Sequence, residues 1–405
     1  MANTPNVRFE GFSGEWEERR LSEYLTVSTE KNKENIFDKT DVLSVSGDHG
    51  VVNQIEFQGR SFAGVSVSNY GVVHTGDVVY TKSPLRSNPY GIIKTNKGNS
   101  GIVSTLYAVY RPKENAFADF IQTYFEQHSR MNNYMQPLVN KGAKNDMKVS
   151  SENALKGIVV FPKYEEQKKI SAFLAYIEHF ITLHQRKYAE TKELKKYMLQ
   201  KMFPQNGKRT PEIRFAGFTD AWEQRKLGEI IITYSEKNPK DKKLPVLTSS
   251  RQGIQTQEEH FGRTQNHDTS EYNVIPKGYC TYRNRSDDKT FTFNINECVE
   301  KGIVSKFYPV FSVDGGNAKF LTTYLNSNNS VKNRLAVLAV GTSQVVLSLT
   351  QLKELKILLP TEEEQIKIGE YFDNLDRLIT LHQRKHDQLK EVKKFMLQNM
   401  FPQKG

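Results

Sequence analysis

Thr182-Leu183-His184-Gln185-Arg186-Lys187 and, unchanged, Thr380-Leu381-His382-Gln383-Arg384-Lys385 are one hexapeptide written twice, 198 positions apart (382 − 184 = 198). Downstream of each copy, Met202-Phe203-Pro204-Gln205 returns as Met400-Phe401-Pro402-Gln403. Far upstream, Arg8-Phe9-Glu10-Gly11-Phe12 with Trp16-Glu17 returns as Arg214-Phe215-Ala216-Gly217-Phe218 with Trp222-Glu223 (222 − 16 = 206). The 405 residues are therefore two tandem copies of a unit about 200 residues long, each large enough to close a core of its own. Such a duplication gives a single chain pseudo-two-fold symmetry and two similar faces for a partner of matching symmetry.

The hexapeptide sits in a stretch with its own grammar. Tyr164 to Met202 and Thr361 to Met400 contain no proline and almost no glycine, and glutamates open each just after Pro162 and Pro360. Acidic residues at that end match a helix dipole, so two helices about 55 to 60 Å long are expected. Seam positions alternate in steps of three and four: Leu174, Ile177, Ile181, His184, Tyr188, Thr191, Met198 and Met202, with Phe372, Leu375, Ile379, His382, His386, Leu389, Met396 and Met400 in the second copy. The steps are interrupted only at Lys195 and Lys393. This is a coiled-coil pattern, and the two copies are expected to pair with each other, antiparallel as a pseudo-two-fold requires. Lys168, Lys169, Arg186, Lys187, Lys192, Lys195, Lys196 and Lys201 line the first helix, more simply a solvated or protein-docking face than a phosphate-binding one.

The first part of each unit is different. Short apolar runs such as Gly76-Asp77-Val78-Val79-Tyr80 and Gly101-Ile102-Val103-Ser104 alternate with turn residues and predict a strand-rich domain. Ala116 to Tyr134 and Ala318 to Leu335 have helical spacing. Gly302-Ile303-Val304-Ser305 echoes the Gly101 run, so a common scaffold with divergent loops is expected.

Lys and Arg number 57 against 46 Asp and Glu, a formal net charge of +11, which favours a polyanionic partner over a merely basic surface. Two cysteines, Cys280 and Cys298, without Cys-x-x-Cys or paired histidine spacing, argue against structural zinc or a disulfide framework. No apolar run has signal-peptide or membrane-span length, so a cytoplasmic location without membrane contact is expected. Enzymatic motifs are equally thin. There is no Gly-x-x-x-x-Gly-Lys-Ser/Thr phosphate loop. Asn88-Pro89-Tyr90 falls one proline short of an amino-methyltransferase loop and reads as a turn. Ser286-Asp287-Asp288-Lys289 resembles a metal-nuclease motif only superficially, because no strand pattern frames it and the first copy lacks it. The nine histidines form no ligand cluster, and no metal site is expected.

Two divergent globular units, each followed by a near-identical long helix, resemble the specificity subunit of type I restriction-modification systems. The resemblance rests on Phe12-x-x-x-Trp16 with Arg20-Leu21 and on Phe218-x-x-x-Trp222 with Lys226-Leu227. It rests equally on Pro162-x-x-x-Glu166-Gln167 with Ile170 and on Pro360-x-x-x-Glu364-Gln365 with Ile368, each leading to a helix that ends in Met-Phe-Pro. It implies a mixed α/β (α+β) fold: one target-recognition domain over 1–162, a helical spacer over 163–205, a second recognition domain over 206–360 and a second spacer over 361–405. It implies further that the chain is a non-catalytic reader of a bipartite sequence in double-stranded DNA. Its partners would be two methyltransferase subunits, which methylate adenine at N6, and restriction subunits that translocate and cut DNA. S-adenosylmethionine, ATP and Mg²⁺ would be bound by those partners and no cofactor by this chain.

Base readout calls for Arg or Lys facing guanine, Asn or Gln facing adenine, and further cations for phosphates. In the first unit Lys82, Ser83, Arg86 and Asn88 follow a strand, and in the second Arg283, Asn284, Arg285 and then Lys289 occupy the corresponding place. A second matched pair is Lys141, Lys144 and Asn145 against Thr342, Ser343 and Gln344. Arg251-Gln252 and Asp48-His49 are weaker candidates. The competing reading is a coiled-coil scaffold whose two modules bind an acidic protein or glycan.

Overall fold

The computed structural model describes residues 3–402, apart from 84, 86–87, 142–146, 206, 239–243, 251–252 and 263–267. Its contacts divide the chain into two units, one of residues 1–183 with 386–405 and one of residues 184–385. Each unit takes a globular domain and a part of each long helix.

The first unit contains β1 (Glu17–Arg20), β2 (Leu25–Val27), β3 (Leu43–Ser46), β4 (Gly50–Asn53), α1 (Gln54–Gln58), β5 (Gly71–Val73), β6 (Val78–Thr81), β7 (Ile93–Thr95), β8 (Gly101–Val103) and β9 (Tyr107–Pro112). After them come α2 (Ala118–Phe125), α3 (His128–Met135), β10 (Asn140–Lys141), β11 (Met147–Lys148) and β12 (Ile158–Phe161), then the long helix α4 (Tyr164–Lys201). The second unit repeats this order with β13 (Glu223–Lys226), β14 (Ile231–Tyr234), β15 (Leu247–Ser250), β16 (Gly253–Thr256), α5 (Gln257–Phe261), β17 (Asn273–Pro276), β18 (Cys280–Tyr282), β19 (Arg285–Ser286), β20 (Phe293–Ile295), β21 (Lys301–Val304) and β22 (Val310–Val313). It closes with α6 (Ala318–Ser327), α7 (Asn329–Leu338), β23 (Val345–Val346), α8 (Leu349–Lys353), β24 (Lys356–Leu359) and the second long helix, α9 (Glu362–Asn399).

The main sheets match, while the small pairs differ: β10 pairs with β11 in the first unit and β19 with β23 in the second. A four-stranded sheet β2-β9-β6-β7 corresponds to β14-β22-β18-β20, and the hairpin β3-β4 to β15-β16. The pairs β5-β8 and β1-β12 correspond to β17-β21 and β13-β24. The echoed glycines are explained by close packing. A Cβ on Gly101 would stand 2.4 Å from the Asp41 carbonyl oxygen, and one on Gly302 would stand 2.5 Å from Leu247 Cδ1.

The repeated motifs prove to be interlocking parts. Arg8 donates to both carboxylate oxygens of Glu166 at 2.7 and 2.8 Å, and Arg214 does the same to Glu364 at 2.7 Å twice. Both glutamates are buried, so each is supported by a charge-assisted bidentate pair. The next residue fastens the helix start to the domain. Gln167 donates to the Pro162 and Asn115 carbonyls and accepts from the Phe117 N–H, and Gln365 donates to the Pro360 carbonyl and accepts from the Asn317 N–H.

The ends of the helices fill the cores. In the second unit Phe203 stacks on Tyr324 at 4.9 Å and meets Trp222 edge-on at 6.3 Å. In the first unit Phe401, from the other end of the chain, stacks on Phe120 at 5.7 Å and meets Trp16 at 6.0 Å. Large aromatic surfaces of this kind dominate core energetics.

The long helices are where the sequence places them, within one residue at either end. Ile177, Ile181 and Leu375 are buried, while Ile379, His184 and His382 are half-buried. Within the second unit His184 Nδ1 lies 3.0 Å from His382 Nδ1, and Lys195 reaches Asp376. Positions rising along α4 thus meet positions falling along α9, so these segments run antiparallel. In the first unit Lys393 bonds Glu178 at 2.7 Å. The two interruptions of the apolar pattern are therefore ion-paired lysines. Most of the lysine row is already occupied: Lys168, Arg186, Lys187 and Lys196 pair with glutamates three or four positions away, Lys201 pairs with Glu212, and Lys169 lies over Phe9 and Phe12. Among the described residues no helix is long and apolar enough to cross a membrane.

Candidate nucleic-acid interface

In the second unit β18 ends at Tyr282, whose hydroxyl donates to the Leu347 carbonyl at 2.9 Å. The chain then runs through Arg283 and Asn284 into β19, which pairs antiparallel with β23: Arg285 opposite Val346 and Ser286 opposite Val345. Val346 in turn exchanges two backbone hydrogen bonds with Val340, at 3.0 and 2.8 Å. This pairing brings the two candidate loops side by side. Gly341 makes the turn at φ +139°, a value an L side chain rarely adopts, and leaves Thr342, Ser343 and Gln344 exposed at its tip. Gln344 Nε2 donates to Asp287 Oδ1 at 2.9 Å, joining the loops through side chains as well.

A third segment meets them. Asn294 Nδ2, in the strand where the β18–β20 loop ends, donates to Ser249 Oγ at 2.8 Å and to the Ser250 carbonyl at 2.7 Å. That fastens the β15–β16 hairpin beside the loop. Arg251 and Gln252, between those strands, lie outside the described residues. Asp48 and His49 form the tip of the matching β3–β4 hairpin, so the two weaker candidates occupy equivalent places.

The acids of Ser286-Asp287-Asp288-Lys289 have local partners. Asp288 accepts from Ser286 Oγ at 2.8 Å and from the Thr290 N–H at 3.0 Å, the usual way an Asp holds a turn. Lys289 follows at φ +60°. Among the described residues no group of three His, Cys, Asp or Glu side chains is arranged to hold a metal ion. Arg283, Arg285 and Lys289 are exposed, and among the described residues no carboxylate stands within ion-pair distance of any of them. The Arg285 guanidinium lies over the Phe307 ring, 4.0 Å from its centroid. Phe307 was not singled out from sequence, although it closely follows the echoed Gly302-Ile303-Val304-Ser305.

In the first unit β6 leads into Lys82 and Ser83. Leu85 and Asn88 exchange backbone hydrogen bonds at 2.9 and 3.0 Å, the Gly91 N–H donates to the Asn88 carbonyl at 3.0 Å so that Asn88-Pro89-Tyr90 is a turn, and Tyr80 donates to the Tyr90 carbonyl at 2.8 Å. Burial lowers the Lys82 pKa, and the charge of Lys31 lowers it further. A half-buried lysine facing another lysine is a local concentration of positive charge. Lys31 was overlooked, yet Glu30-Lys31-Asn32 recurs as Glu236-Lys237-Asn238. Lys141 belongs to β10, which pairs with β11 around residues 142–146, so Lys144 and Asn145 lie outside the described residues, as does Arg86.

Residues 219–391 match the family described as type I restriction modification DNA specificity domain. Among solved structures, the S subunit of a type I restriction-modification system from M. genitalium is 12% identical, covers 99% of this chain and 100% of its own, and superposes with a TM-score of 0.57. The HsdS subunit from Thermoanaerobacter tengcongensis is 16% identical, covering 95% of this chain and 96% of its own, with a TM-score of 0.43. Residues 219–391 thus carry a type I restriction modification DNA specificity domain, and the main sheets, buried ion pair and aromatic plug of that unit are repeated in the first.

Proposed function

We propose that this chain reads a bipartite sequence in duplex DNA, one half-site per unit, with the long helices paired as an antiparallel coiled coil that sets the distance between readers. The observation that carries this is a matched scaffold with unmatched loops: Arg283-Asn284-Arg285 leaves β18 where Lys82-Ser83 leaves β6. Two readers of different half-sites need that combination, and the exposed cations of the second unit, without carboxylate partners among the described residues, suit a phosphate-rich partner.

The helices also carry repeated exposed apolar positions: Leu194 and Tyr197 on α4 correspond to Val392 and Phe395 on α9, 198 residues on. Exposed apolar positions on a solvent-facing helix mark a docking surface, and their repetition fits two copies of one partner. The partners proposed are two methyltransferase subunits and, beyond them, the restriction subunits, which would supply S-adenosylmethionine, ATP and Mg²⁺ chemistry while this chain contributes recognition.

The test is a genome-wide map of N6-methyladenine in cells with and without this chain, together with its modification subunit. A split motif that disappears with the gene supports the reading. Unchanged methylation by an assembled complex, with no sequence preference in duplex binding, refutes it. The spacer function has its own check. Four residues inserted between Gln185 and Tyr188 add about 6 Å of helix and should lengthen the recognised spacer by about one or two base pairs, leaving both half-sites unchanged.

A further inference from the structure

We propose that Arg285 reads a guanine in the half-site taken by the second unit, and that Phe307 is the residue that positions it. This rests on the DNA-reading function above and adds a base identity to it.

Tyr80 and Tyr282 occupy the same place in the two four-stranded sheets, opposite Ile93 and Phe293. Three residues beyond each tyrosine stands Ser83 in the first unit and Arg285 in the second. Two residues beyond each echoed Gly-Ile-Val-Ser run stands Thr105-Leu106 in the first unit and Lys306-Phe307 in the second. Arginine and ring therefore occur together in one unit and are both missing from the other. That is the pattern of a base contact needed in one half-site only.

The local geometry prepares the guanidinium to read an edge. Its backbone is fixed by pairing with Val346, and the preceding N–H, of Asn284, donates to the Phe307 carbonyl at 2.9 Å. The Phe307 ring then supports the guanidinium face at 4.0 Å. Stacking a guanidinium on an aromatic ring fixes its plane and leaves its in-plane N–H donors pointing outward. Arg285 is exposed, and among the described residues no carboxylate uses those donors. Two parallel donors held in a plane match O6 and N7 of guanine in the major groove. A phosphate accepts from a mobile arginine or lysine as well, so a fixed plane has its value in discriminating bases. The neighbouring Lys306 pairs with Glu271 at 3.6 Å and lies farther from the same ring, 5.9 Å from its centroid.

The full-length chain is assembled with its modification subunit, and the methylated motif is mapped for R285A, R285K and F307L beside the unaltered protein. R285A is expected to make one G·C position degenerate in one half-site, discrimination there falling by about 5- to 150-fold, with the other half-site and the spacer unchanged. R285K keeps the charge but lacks the planar fork and should not restore the guanine. F307L should weaken the same position and no other. An unchanged motif in R285A overturns the proposal, as does an equal loss at every site that R285K restores, which is the signature of a phosphate contact. Should R285A fail to assemble, R285K decides alone, since retention of the full guanine preference by lysine also overturns it. If the unaltered chain directs no split-motif methylation, the DNA-reading function itself fails, which is a separate outcome visible before any variant is compared.

Discussion

The two units enclose the same aromatic plug but receive it by different routes. In the second unit Met202-Phe203 arrives from α4 only nineteen positions before Trp222 (222 − 203 = 19), so plug and core are neighbours in sequence. In the first unit Met400-Phe401 arrives from the far end of the chain to meet Trp16, 385 positions away (401 − 16 = 385). There the ring also meets Arg130, whose guanidinium lies 4.6 Å from the centroids of both Phe401 and Tyr124. Burial among those rings lowers the Arg130 pKa, a cost that packing of the chain end offsets. A unit of this fold is thus defined by which helix end fills it, and the amino-terminal unit is completed only by the last residues of the sequence.

The largest expected effect follows from that asymmetry. Phe401→Ala should cost the first unit about 3 to 5 kcal/mol, as for other buried phenylalanines, and Phe203→Ala should cost the second unit a similar amount. Hydrogen exchange resolved by segment is the measurement. Phe401→Ala should speed exchange in β1, β12 and α2, while β13, β24 and α6 keep their protection, and Phe203→Ala should do the reverse. Equal loosening of both units by either substitution would show that they share one cooperative core and that the division by plug is wrong.

A smaller effect is expected where the units are most alike. Arg8→Ala and Arg214→Ala each strand a buried glutamate, Glu166 or Glu364, and each should cost about 3 kcal/mol. Replacing both members of a pair, Arg8→Ala with Glu166→Gln, should cost less than Arg8→Ala alone, because the uncompensated charge is then removed. Chemical denaturation of the three variants tests this. Near-equal losses at the two sites would mean that the scaffold is energetically as well as geometrically repeated. Unequal losses would locate the asymmetry in the ion pairs as well as in the plug.

What the sequence revealed follows the range of the interactions involved. The long helices were legible because their signals are local: no proline, glutamates in the first turn, and apolar positions every three or four residues. The interruptions at Lys195 and Lys393 were visible, but Asp376 and Glu178, which pair with them, lie far away in sequence and carry no local mark. The pairing of β1 with β12 was hidden for the same reason, since Glu17 meets Phe161 across the whole domain. Candidate loops were recognisable by composition and by their place after a strand. That β19 and β23 bring Arg285 beside the Gly341 turn could not be read, because a two-residue strand has no periodicity. Phe307 escaped because an aromatic between strands, beside Tyr308, looks like core until its ring is seen beneath a guanidinium.

The smallest structural change should give the sharpest functional contrast between the units. A Cβ at Gly341 would meet the Gln344 carbonyl oxygen at 2.3 Å and would have to adopt φ +139°, so Gly341→Ala must open the turn that presents Thr342, Ser343 and Gln344. Backbone strain of this kind costs about 1 to 3 kcal/mol, little enough for the core around Trp222 to stay folded. The hairpin also pairs with the strand that carries Arg285, so opening it disturbs both candidate loops of the second unit together. Binding to duplexes that retain only the second half-site should therefore fall. Binding to duplexes that retain only the first should be unchanged, because no residue of the first unit is altered. Competition between such duplexes at fixed salt is the measurement. Equal weakening on both would mean that Gly341 supports general attraction to DNA, whereas loss confined to one half-site would assign the Gly341 turn to reading it.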